Sequence, residues 1–152
     1  SALSAPFLIC ALAISNFLQV AVPNTFASRN LSLQVARAIE AKTMKADLIL
    51  TTGGDSLFLY IPYFAGRQTL AFSTLVLQAP ERQLSAALER LGDLVAATRA
   101  GGGRVYLAGA GRGSATHWLA LTDLGIRPET FSTLRTRPAW DAAGVEVVEV
   151  LP

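Results

Sequence analysis

The chain has 152 residues, one cysteine and a formal net charge of +2. That size suits one domain with room for a sizeable core. The charge gives no nucleic-acid footprint, and a lone cysteine builds neither a disulfide framework nor a metal cluster. Charged residues make up 16% of the chain, against about 25% in an average soluble domain, and the apolar excess is not confined to the start, since LILTTG, LFLYIPYFAG, TLAFSTLVL and VYLAGAG are apolar too.

Residues 1–28 carry no charge, and the first charged side chain is Arg29. Within that stretch Pro6 to Val22 reads PFLICALAISNFLQVAV. A bilayer-spanning helix needs about 20 mostly apolar residues, so this run is expected to be a membrane helix or the end of one. A buried first element of the fold and a signal peptide are the alternatives. Pro23 ends the run, because proline disfavours helix at the residue before it. We take 1–28 as apolar helix and linker, and 29–152 as the α/β domain.

The spacing of Leu31, Val35 and Ile39 predicts an amphipathic helix over 31–45, with Asn30 or Ser28 as its cap. Residues 48–52, bounded by Gly53-Gly54, suit a buried strand. Asp55-Ser56 can cap the segment LFLYIPYFAG, where Pro62 shortens any helix. Residues 69–77 are expected to form a second strand. A long helix follows from Pro80, with Leu84, Leu88, Leu91 and Val95 on one face, and Gly101-Gly102-Gly103 terminates it. Residues 104–109 make a third strand, 114–124 a helix, 127–141 a loop, and 144–150 a last strand with its glutamates toward water.

Alternating strands and helices imply a Rossmann-like three-layer α/β sandwich with a mainly parallel sheet. Ligands of such sheets bind beyond the carboxyl ends of the strands. Two glycine turns fall there. Gly53-Gly54-Asp55 follows the first strand, and Gly109-Ala110-Gly111-Arg112-Gly113-Ser114 follows the third. If those strands are neighbours, both turns open on one edge. We take Gly53, Gly54, Asp55, Gly109, Gly111, Arg112, Gly113 and Ser114 as the candidate ligand-binding residues. The second turn reads GxGxG, not the dinucleotide fingerprint GxGxxG. It is a plain turn or an anion cradle, and Asp55 is a helix cap, a general base or a ribose ligand. His117, the only histidine, reads as an ordinary helix residue, and Arg127, Arg135 and Arg137 read as solvated or paired with Glu129 and Asp141, with phosphate or lipid head groups as the alternative partners. No zinc spacing, P-loop or nucleophile motif occurs, so we expect no metal, no cofactor and no nucleic-acid partner, and no catalytic residue can be assigned.

The order of these pieces carries a resemblance. An apolar run ends in Val20-Ala21-Val22-Pro23-Asn24, and Ala36-Arg37-Ala38-Ile39 follows in a helix. Next come the strand Ala46-Asp47-Leu48-Ile49-Leu50, the segment Leu59-Tyr60-Ile61-Pro62-Tyr63-Phe64-Ala65-Gly66-Arg67, and Gly103-Arg104-Val105-Tyr106-Leu107. This resembles the C-terminal region of lipid-dependent membrane glycosyltransferases of the GT-C type, the dolichol-phosphate-mannose and arabinosyl transferase-like group. The resemblance implies a last membrane helix followed by a small, non-catalytic α/β domain outside the cytoplasm. Its partners would be membrane lipid or a lipid-linked sugar, and the remainder of a larger membrane protein. The family's catalytic acid lies in an early loop with no counterpart here. The residues themselves leave two other readings open. One is a soluble module binding a phosphorylated sugar or nucleotide at Gly109–Ser114, and the other is a structural interaction domain.

Overall fold

The computed structural model describes residues 14–15, 30–111 and 115–152. The apolar run at 6–22 lies outside them except for Ile14 and Ser15, which are helical. Among the described residues no helix is long and apolar enough to cross a membrane.

Helix α1 (Leu31–Lys42) begins at Asn30, whose side chain accepts a hydrogen bond from the Leu33 N–H at 3.0 Å. That satisfies one of the donors every helix start leaves unpaired. Strand β1 (Leu48–Thr51) is buried along its whole length. Helix α2 (Leu57–Tyr60) runs into a wider π-turn over Ile61–Ala65, where Pro62 is accommodated at the start. Strand β2 (Gln68–Ala71) leads directly into helix α3 (Phe72–Gln78). A 3-10 turn at Pro80–Arg82 precedes the long helix α4 (Leu84–Ala100). Strand β3 (Val105–Ala108), helix α5 (Ala115–Thr122), helix α6 (Pro128–Ser132) and the hairpin of β4 (Thr136–Ala142) and β5 (Val145–Val150) complete the chain.

The sheet order is β2-β1-β3-β5-β4. β1 pairs in parallel with β2 and β3, whereas β5 pairs antiparallel with β3 and β4. The sheet is therefore mixed, and the expectation of a mainly parallel sheet is corrected. The cause is local: β4 and β5 are joined by a two-residue turn, which allows only antiparallel pairing. Three other expectations also change. Residues 127–141 are helix α6 and strand β4 instead of a loop. The second strand stops at Ala71, and the apolar residues after it are helical. The long helix starts at Leu84, because Glu81 and Arg82 have positive φ.

Helices cover both faces, as a three-layer sandwich requires. One core lies between the sheet residues Leu48, Leu50, Val105, Leu107 and Val150 and the side chains of α3, α4 and α6. The other joins Ile49, Tyr106, Ala108 and Val147 to Val35, Ala36 and Ile39 of α1 and to Leu57, Ile61 and Ala65. Burial at about 25 cal/mol per Å² of apolar surface makes these two layers the main source of stability.

Candidate functional site

β1 and β3 are adjacent and parallel, with Thr51 opposite Ala108. From β1 the chain moves outward to β2 on one side, then crosses to β3 on the other. Connections that diverge in this way leave a crevice between the carboxyl ends of the two strands. The Gly53–Asp55 turn follows β1 and the described part of the second turn, Gly109–Gly111, follows β3 at these ends.

On the β1 side, Gly53 has φ +92°, and a Cβ there would overlap Ser73 Oγ. Gly54 is constrained by a neighbour, since a Cβ would stand 2.9 Å from His117 Nδ1. His117, on α5, is buried, and its Nε2 lies 3.0 Å from Thr52 Oγ1. Asp55 Oδ1 accepts from the Leu57 N–H at 2.9 Å and so caps α2. Its other oxygen turns toward β3, 3.7 Å from where a Cβ of Gly109 would be. Burial pushes the Asp55 carboxyl above its ordinary value, against the opposing pull of the Leu57 N–H and the His117 ring.

On the β3 side, Gly109 has φ +79° and donates its N–H to Glu146 O at 3.0 Å. A Cβ at Gly111 would stand 2.8 Å from Glu146 Oε2. Two carboxylates thus approach one glycine turn, Asp55 from β1's loop at Gly109 and Glu146 from β5 at Gly111. Glu146 also lines an open groove of about 390 Å³ along the hairpin, together with Pro138, Trp140 and Asp141. Near the crevice, Thr51 Oγ1 is buried with no hydrogen-bond partner among the described residues. In the groove wall the same is true of Trp140 Nε1.

Of the eight sequence-predicted residues, Asp55 and Gly109 meet across this crevice, Gly54 adjoins it at His117, Gly111 adjoins it at Glu146, and Gly53 packs on Ser73 and Ala71 toward β2. Arg112, Gly113 and Ser114 lie outside the described residues. Reading the sequence missed His117, Thr52, Glu146 and the Trp140–Asp141 wall. The first had a usable signal: it follows the third strand's glycine turn by one helical turn, so β1–β3 adjacency brings it over Gly54. Thr52 follows from His117, whose ring it meets. Glu146 and the Trp140–Asp141 wall depend on β5 inserting between β3 and β4, which no local pattern announces. The three arginines do not form one patch. Arg137 pairs with Glu149, and the Arg127 N–H is held by Thr130 Oγ1 at the start of α6. Among the described residues, no group of three or more histidine, cysteine or acidic side chains is arranged to hold a metal ion.

No family model matches this chain, and no curated protein or solved structure is significantly similar to it.

Proposed function

We propose that this α/β unit is a non-catalytic, sugar-holding domain of a membrane glycosyltransferase that works with lipid-linked sugars. The observation that carries the sugar reading is that two carboxylates approach the Gly109–Gly111 turn, Asp55 at Gly109 and Glu146 at Gly111. Carboxylates accept hydrogen bonds only, and such charge-assisted bonds from hydroxyls are strong. A phosphate seated on the described part of that turn would meet two like charges instead. The chemistry favours the hydroxyl face of a sugar over its phosphate, and the Trp140 groove supplies apolar surface of the kind sugar rings pack against. The glycosyltransferase setting and a location outside the cytoplasm rest on the resemblance of the chain order, and the membrane setting also on the uncharged N-terminal stretch.

The test is saturation-transfer NMR of the full chain in detergent micelles, with mannose, mannose 1-phosphate, a short-chain prenyl-phosphate mannose and inorganic phosphate as probes. Sugar-proton enhancements lost in both Asp55→Asn and Glu146→Gln support the reading. Phosphate displacing the sugar, with tighter binding in the two variants, moves the site to the anion class. No enhancement with any probe overturns ligand binding at the crevice. The membrane setting is tested separately by flotation with liposomes: the full chain floats and a 24–152 truncation does not.

A further inference from the structure

The segment Leu57–Ala65 has two faces of unusual composition. Leu57, Ile61 and Ala65, at intervals of four, are buried in the core beneath α1. Between them Leu59 is 59% exposed, Tyr63 81% and Phe58 39%. A helix on a protein surface ordinarily turns polar side chains to solvent. Here not one of the nine residues is charged or carries an amide. The nearest cation in sequence, Arg67, folds back to donate to Ala65 O, Glu40 O and Thr43 O, so its charge caps backbone carbonyls.

This face is physically continuous with the point where the uncharged N-terminal stretch joins the domain. Tyr63 packs edge-to-face on Phe64 with ring centroids 4.7 Å apart, and Phe64 stacks on Tyr60 at 5.5 Å. The Tyr60 hydroxyl accepts a hydrogen bond from Asn30 Nδ2 at 3.2 Å. Asn30 follows Arg29, the first charge in the chain. Leu31, next to it, is 51% exposed. A run the length of residues 6–22 would reach ~26 Å as a helix, close to the ~30 Å hydrocarbon core of a bilayer. Residues 23–29 join such a run to Asn30, a span of at most ~25 Å, which keeps the domain within reach of the headgroup region, where tyrosines and other aromatics concentrate.

We infer that Phe58, Leu59 and Tyr63 form a lipid-contacting face that seats the domain on the bilayer surface. The face rests on the membrane reading of residues 6–22 and is independent of the β1–β3 crevice. It commits to lipid as the occupant. A second copy of the chain, or the N-terminal run folded back, would cover the same side chains with protein.

Site-directed spin labelling of the full chain in phosphatidylcholine–phosphatidylglycerol vesicles separates these outcomes. Labels are placed at Leu59→Cys and Tyr63→Cys on a Cys10→Ser background, at native Cys10, and at the equally exposed controls Leu77→Cys and Leu119→Cys. These four substituted positions lie on the surface, and circular dichroism verifies folding of each variant. Labels at 59 and 63 are expected to collide with oxygen in preference to a water-soluble nickel chelate, and those at 77 and 119 the reverse. A Cys10 label in lipid with 59 and 63 in water overturns the seating and leaves the membrane run standing. A Cys10 label in water overturns both. Labels at 59 and 63 shielded from both reagents overturn lipid contact in favour of a protein cover.

Discussion

Ala143 sits between β4 and β5 with φ +54°, followed by Gly144 at +83°. Two successive left-handed residues are what a tight hairpin turn needs, and asparagine-glycine or glycine-glycine supplies them with least strain. An alanine there costs roughly 1 kcal/mol, because its Cβ crowds the following carbonyl. Ala143→Asn is therefore expected to stabilise the fold by about 1 kcal/mol, read as a higher midpoint in chemical denaturation. An unchanged midpoint would mean that the strain is relieved elsewhere in the hairpin. At Gly54, beside the crevice, the constraint is contact, not backbone. Gly54 has an ordinary φ, but an alanine Cβ would push against the His117 ring 2.9 Å away. Gly54→Ala should displace that ring and break its bond to Thr52, at a cost of about 1–3 kcal/mol. Sugar enhancements should fall with it. A variant of parental stability that still binds would show that His117 has room to move.

Among the elements, the end of α1 depends on a residue 24 positions beyond its C-cap, Thr43. Arg67 donates to Thr43 Oγ1 at 2.9 Å, to Thr43 O and to Glu40 O, and also ties down Ala65 O at the end of the π-turn. One guanidinium fork thus satisfies carbonyls from two helical segments, which the compact ammonium of lysine cannot match. Arg67→Lys is expected to cost about 2–3 kcal/mol, the range of lost hydrogen bonds from a charged donor. Loss of the fork should appear in hydrogen exchange as faster amides at the end of α1 and around Ala65. Exchange unchanged at both ends would show that the fork is redundant. The sequence segment that carries the family resemblance, ending in Gly66-Arg67, thus has a structural task of its own. Elements were legible where one force dominated: the α1 stripe of Val35 and Ile39, the wholly buried β1 and β3, the glycine stop after α4. They were not legible where two patterns coincide. Residues 72–77 are apolar enough for a strand, but Phe72, Leu75 and Val76 are the buried ones, a helical spacing that a short window hides. Strand β4 is mostly exposed, with Pro138 within it, so it lacked both alternation and propensity. It is an edge strand, where proline is tolerated, held by its hairpin partner and by Trp140 packed 4.7 Å from Tyr106.

At the scale of the whole molecule, the mixed sheet places two carboxylates in opposite situations. Glu149 on β5, expected to face water, is only 5% exposed because β4 lies outside it. Arg137 from β4 and Arg99 from the last turn of α4 both pair with it, and Arg99 also donates to Val150 O. The Arg137 hydrogen bond is the largest influence and holds the Glu149 carboxyl below its ordinary 4.5, although burial opposes it. At the other end of the sheet, burial raises Asp55 above 3.8. The two shifts act on stability with opposite sign. A carboxylate with a depressed folded value contributes stability above its unfolded value, here 4.5, and loses it as pH falls through the folded one. A carboxylate with a raised folded value penalises the fold above that value. The penalty is relieved as pH falls through it toward 3.8. In denaturation curves from pH 7 to pH 3, Asp55→Asn should be more stable than the parent near neutrality, with the gap closing as acid protonates the parent's Asp55. Glu149→Gln should be less stable at pH 7, because two arginines lose their charged partner, and should fall less steeply than the parent below 4.5. A Glu149→Gln protein that tracks the parent's acid limb would contradict the pairing as a source of stability. Asp55→Asn less stable than the parent at pH 7 would mean that the cap to Leu57 outweighs the burial of its charge. The pattern separates a carboxylate retained to lock β5 between β4 and α4 from one buried at a cost to the fold, and the latter is the one at the proposed sugar site.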